Sequence, residues 1–179
     1  MSVKRRVEAI FPVCKNSWSY EFDYYQKSKS PKFKFRPRVK ELLVLEGKYD
    51  NPSYPDYPIR ISCRFNDILR CSDTEHFTSC FRAGGMEKKQ PFLRCVSRDW
   101  AIAFVTDKHG NFMGRIWIRY VSGTKSSFYN EPESIYLYRV YGNKLREEDV
   151  RSILTKSLIS QLGRQVLING GLSDDYLPF

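Results

Sequence analysis

Histidine is scarce in this chain, with two in 179 residues. Acid–base chemistry near neutral pH therefore has little to draw on. Gly-rich phosphate loops are missing: Gly84–Gly85 is not followed by Lys-Ser/Thr, and Gly170–Gly171 precedes no helical pattern. No Ser-nucleophile elbow occurs. These gaps leave no cofactor motif and favour binding over catalysis. No apolar run reaches the roughly eighteen residues that a bilayer span needs, so no membrane association is expected. The apolar stretch after the first basic residues is broken by Glu8 and Pro12, which argues against a secretory signal and for a cytoplasmic location. The five cysteines (Cys14, Cys63, Cys71, Cys80, Cys95) are odd in number and lack framework spacing, so reduced thiols are expected.

What the chain has in excess is positive charge, +10 overall. Residues 1–70 hold 15 Lys/Arg against 8 Asp/Glu, so most of the field sits there and biases partners toward polyanions. The densest piece is "KSKSPKFKFRPRVK", residues 27–40, with seven basic residues and no acid. Alternation puts Lys32, Lys34 and Arg36 on one side of an extended segment and Phe33 and Phe35 on the other. Two prolines make it an edge strand or an exposed arm. Lys27, Lys29, Lys32, Lys34, Arg36 and Arg38 are candidate phosphate contacts, and Phe33 and Phe35 candidate stacking platforms. The alternative is a solvated strand whose charge resists aggregation.

Three regions are expected: a basic aromatic N-terminal region, 1–48; a Pro/Tyr-rich linker loop, 49–58; and a main domain, 59–179. The linker "YDNPSYPDYP" has three prolines in ten residues and excludes regular structure. "IRISCRF" alternates as a half-buried strand. Residues 101–106 and 112–121 read as a hairpin about a turn at Asp107–Asn111. Residues 134–143 form a further strand, followed by a helix near 146–162 with Val150, Ile153, Leu154, Ser157, Leu158 and Leu162 as its inner stripe and Gly163 as its stop. "QVLIN" supplies a last strand. The fold class is α+β: a twisted antiparallel sheet, a short helix near 73–82 and the longer one near 146–162. On the hairpin's second strand, Trp117 lies between Arg115 and Arg119, opposite Ile116 and Ile118. That face is a second candidate nucleic-acid surface, or else a second core layer under the helix.

"CSDTEHFTSCFRAGG", residues 71–85, concentrates reactive side chains. Ser72 and Glu75 have capping-box spacing, which predicts a helix start at Asp73 and puts His76 and Cys80 on one face. A Cys–His pair is the candidate catalytic set, but Cys80 would sit near the helix end, where the dipole opposes a thiolate. Cys71, His76, Cys80 and Cys95 are the candidate metal ligands, without the close cysteine pair usual in zinc knuckles. The simpler reading is a buried Cys80 and a hydrogen-bonded His76.

The order "HFTSC", "WAIAFVTDKHGNFMGRIWIRY", "YLYRVYGNKL" and helix resembles the C-terminal module of PcfJ-like and related small phage proteins over residues 66–160. The matching pieces are Cys80, Asp107 to Gly110 and Arg139 to Asn143. The resemblance implies a phage or other mobile-element setting and assigns no catalytic residue. The expected function is a non-catalytic binding protein that contacts nucleic acid or a nucleoprotein, one form being an inhibitor of a host nucleic-acid-targeting defence complex. The alternatives are a cysteine-dependent or nuclease-like enzyme centred on His76 and Cys80, with Asp73 or Glu75 in support, and a module binding an acidic host protein surface.

Overall fold

The computed structural model describes residues 39–71, 74–77, 91, 94, 99–123 and 132–172. In chain order these form α1 (Lys40–Leu43), β1 (Gly47–Tyr49), β2 (Ile59–Ser62), α2 (Phe65–Arg70), β3 (Trp100–Thr106), β4 (Phe112–Val121), β5 (Ser134–Tyr138), β6 (Tyr141–Gly142), α3 (Glu147–Leu162) and β7 (Leu167–Leu172). The chain is α+β, as its pattern predicts. Its seven strands make one sheet of order β1-β2-β3-β4-β5-β7, with β6 paired to β4. Every pairing is antiparallel except β5–β7, which is parallel and bridged by α3. A parallel pair needs such a crossover, and α3 supplies it.

The central hairpin is buried on both faces. In β3 large residues (Trp100, Ile102, Phe104) alternate with small ones (Ala101, Ala103, Val105), and all six are buried. The small side, with Ile116 and Ile118 of β4 and Ile135 and Leu137 of β5, forms an aliphatic layer with Val150, Leu154 and Leu158 of α3. Leu42 and Leu45 belong to this layer too, so residues 40–49 share the core of the later strands. The large side joins Phe112, Trp117 and Tyr138 to Ile68 and Leu69 of α2 in an aromatic layer. Cutting a buried leucine such as Leu154 to Ala costs about 2–5 kcal/mol.

Helix α3 ends where expected, with Gly163 left-handed at φ +65° and its N–H donating to the Ile159 carbonyl. The expected helix near 73–82 is corrected over its described part. Thr74–Phe77 is a bend, and the helix of this region is α2. The cause is local: the Thr74 hydroxyl accepts the His76 N–H at 3.1 Å and donates to the Phe112 carbonyl at 2.5 Å. Such side-chain bonds give the backbone an alternative to the helix. Residues 72, 73 and 78–82 lie outside the described residues. Among the described residues, no helix is long and apolar enough to cross a membrane.

Two glycines separate strain from crowding. Gly110 (φ +83°) has open space where a Cβ would go, whereas at Gly142 (φ +89°) a Cβ would lie 2.3 Å from the Met113 carbonyl oxygen. Gly110→Ala should cost about 1 kcal/mol from the left-handed backbone alone. Gly142→Ala should cost about 3 kcal/mol or more, because the β4–β6 pairing must also shift. Urea unfolding midpoints of the two variants check the difference.

Candidate functional site

Strands β1, β3, β5 and β7 run the same way, so the loops that follow the first three, 50–58, 107–111 and 139–146, gather on one edge of the sheet. At that edge β5 and β7 part register: Tyr136 faces Asn169, but Tyr138 faces Leu172. Chain leaving β5 continues along β4 through a one-residue bulge at Arg139–Val140, pairs with β4 again through Tyr141–Gly142, and then bends at 143–144 toward α3. The helix cap is Arg146, whose side chain makes no capping bond. Its first-turn N–H groups thus receive no acceptor from the cap side chain.

Basic and aromatic groups surround this turn. Lys144 Nζ lies 5.3 Å from the ring centres of both Tyr54 and Tyr57, and the Arg146 guanidinium 5.7 Å from that of Tyr54. A hydrogen bond to Tyr54 holds the Arg146 pKa above its ordinary value. Asn51, 2% exposed, ties the two loops together: its Nδ2 donates to the carbonyls of Tyr57 (2.8 Å) and Lys144 (3.1 Å). The first helical turn carries Glu147, Glu148 and Asp149, which complement the dipole. Glu147 is drawn to Arg151 at 2.7 Å.

Beneath this edge, on the aromatic layer, guanidinium groups are stacked among rings. Arg94, 2% exposed, lies 4.4 Å from the Trp100 ring and 4.5 Å from that of Trp117. Arg115, fully buried, lies 4.3 Å from Tyr141, 5.4 Å from Trp117 and 5.9 Å from Phe77. Arg119 sits over Trp100 and donates to Asp99 at 3.0 Å. Burial opposes its charge, but Asp99 and Tyr138 outweigh that and raise its pKa.

The third component of the edge is a histidine–carboxylate pair. His76 Nε2 lies 3.4 Å from Asp107 Oδ2, with side-chain exposures of 36% and 19%. Asp107 also accepts from Asn111 Nδ2 (3.0 Å), Asn111 N (2.9 Å) and His109 N (2.8 Å). These bonds, led by the Asn111 side chain, outweigh desolvation and hold its carboxyl well below the usual carboxylate range. Phe77 places its ring 6.2 Å from that of Tyr141.

Several expectations change here. Arg115 is not a nucleic-acid contact, because it is sealed in the aromatic layer, and Arg119 is committed to Asp99 and Trp100. This face is a core layer, but it lies under α2 and Arg94; the long helix covers the opposite face. Lys27, Lys29, Lys32, Phe33, Lys34, Phe35, Arg36 and Arg38 lie outside the described residues, as do Cys80, Cys95 and Asp73. Cys71 is buried in the aromatic layer while the His76 ring meets Asp107, and no metal-holding group occurs among the described residues. Arg94, Lys144, Arg146, Tyr54 and Tyr57 were not picked out from sequence; their signal was the density of aromatic residues in a tract read as a spacer.

No family model matches the chain, and no curated protein matches it. Solved structures do. A single-site mutant of BH1408 from Bacillus halodurans is 10% identical with TM-score 0.39, over 65% of this chain and 82% of that one. A tetramutant of BH1408 gives 10% and 0.38, over 65% and 83%. The ribosomal-protein-alanine N-acetyltransferase of Brucella melitensis biovar Abortus 2308 gives 9% and 0.36, over 63% and 80%. The expected nucleic-acid-binding mobile-element function is corrected: Arg115, one of its contacts, is sealed in the core, and the solved structures similar to this chain are BH1408 and an N-acetyltransferase.

Two predictions follow from the stacked guanidinium and the ionised carboxylate. Arg94→Lys should cost about 2 kcal/mol in chemical denaturation, since a compact ammonium cannot reach across both indoles as the broader guanidinium does. The Asp107 carboxyl has a lowered folded-state pKa. Its contribution is therefore present above the unfolded value of about 3.9 and is lost as pH falls below it toward the folded value. Asp107→Asn should flatten that acid limb in unfolding midpoints measured from pH 6 to pH 2.

Proposed function

We propose that this chain is a group-transfer enzyme that holds a phosphorylated donor at the β5–α3 junction. One observation carries this: the end of α3 that lacks a side-chain cap lies beside the C-terminal ends of the only parallel strand pair among the described residues, with Arg139, Lys144 and Arg146 around it. Ligands of open sheets with crossover helices settle outside the C-terminal ends of the parallel strands. A helix N-terminus offers aligned N–H groups and a positive dipole end to phosphate. The register slip between β5 and β7 loosens the pairing at the same level, and Tyr54 and Tyr57 offer flat surfaces beside the cations. A pyrophosphate bearing an aromatic base and a transferable group fits this set, and acyl-coenzyme A is the first such donor to test.

The acids of the first helical turn set the sign of one control. Glu147 is paired with Arg151 and Asp149 is half-buried, so Glu148 is the most exposed of the three charges that oppose an incoming phosphate. Calorimetric titration with acetyl-coenzyme A and with ADP should give saturable binding to the whole chain. Lys144→Ala and Arg146→Ala should each weaken it about tenfold, the worth of one charge-assisted bond. Glu148→Gln should tighten it, and Lys156→Ala, midway along α3, should leave it unchanged. No saturable binding, or binding indifferent to Lys144 and Arg146, would overturn the proposal.

A further inference from the structure

We infer that His76 accepts the proton released when the acceptor attacks the donor, and that Asp107 positions its ring; this rests on the group-transfer reading above. The pair is built from both sides. The backbone of His76 is pinned by Thr74, which is itself bonded to the first residue of β4. Its ring meets a carboxylate held by three further donors from the β3–β4 turn. An ionised carboxylate beside Nε2 selects the tautomer with the proton there, which leaves the Nδ1 lone pair bare. The imidazole is exposed enough to meet a substrate, at 36%. It sits on the same sheet edge as the β5–α3 junction, one residue from Phe77, whose ring neighbours Tyr141 of β6.

The step balances without a thiol. The nitrogen lone pair of an amine forms a bond to the acyl carbon, the bond from that carbon to the donor sulfur breaks, and the sulfur leaves with its electron pair. The proton lost by the amine passes to Nδ1 of His76 and from there to the departing thiolate or to water. Asp107 touches none of the reacting atoms and acts only through the ring it holds. The same pair could serve merely to tether residues 74–77 to the hairpin, and the two roles differ in measurable ways.

With two histidines in the chain, ring-nitrogen NMR distinguishes each one. In the neutral ring of His76 the proton should sit on Nε2, and Asp107→Asn should release that fixed tautomer into a mixture. A proton on Nδ1 in the neutral ring would show a tether and overturn the inference. His76→Gln keeps a donor for Asp107 but has no basic lone pair. It should bind acetyl-coenzyme A within twofold of the parent chain while its turnover with glycinamide falls about 100-fold. A parent chain that turns over no faster than this variant overturns the inference. If acetyl-coenzyme A does not bind the parent chain at all, the donor assignment falls, and His76 is then judged by the tautomer alone.

Discussion

Everything else in the structure depends on a constraint imposed by the β3–β4 pair. Both strands are buried on both faces, so alternate side chains must suit two different surroundings. One face needs small aliphatic residues under α3; the other needs broad rings to fill the space beneath α2 and Arg94. A one-residue slip of β3 against β4 would turn β3 over, placing Trp100 against α3 and its alanines against α2. The hairpin therefore fixes its own register and, through it, the height at which β5, β6 and the turn into α3 arrive.

The aromatic layer solves a second problem. A guanidinium in the interior is costly unless its charge is answered. Arg94 and Arg115 are answered in part by rings whose centres lie 4.3–4.5 Å from the guanidinium carbons. This packing reaches the site, because Tyr141 lies against Arg115 and belongs to β6, the strand that leads toward α3. The basic groups at the edge are thus presented by a rigid floor, and the floor is itself made of cations and rings.

Much of this was legible in the sequence where a single period governs. The β3 and β4 hairpin, the 59–62 strand and the 147–162 helix with its glycine stop follow from spacing alone. What was not legible depends on long-range partners. Arg115 and Arg119 alternate with apolar residues in a way that reads either as a surface or as a second core layer, and only the packing of α2 and Arg94 decides for the core. The capping box at Ser72–Glu75 was a sound local signal over its described part until the Thr74 hydroxyl found Phe112, 38 residues on. The role of "YDNPSYPDYP" was hidden for the same reason. Its prolines do exclude regular structure after Tyr49, the last residue of β1, yet Asn51, Tyr54 and Tyr57 face residues about ninety positions away.

That last contact has a kinetic meaning. The bond from Asn51 to the Lys144 carbonyl spans 93 residues, and every strand from β2 to β6 lies between its ends. Closing so long a loop gains nothing until the intervening sheet exists. The loop cluster accordingly closes only on a sheet that is already built, and its geometry is inherited from the core.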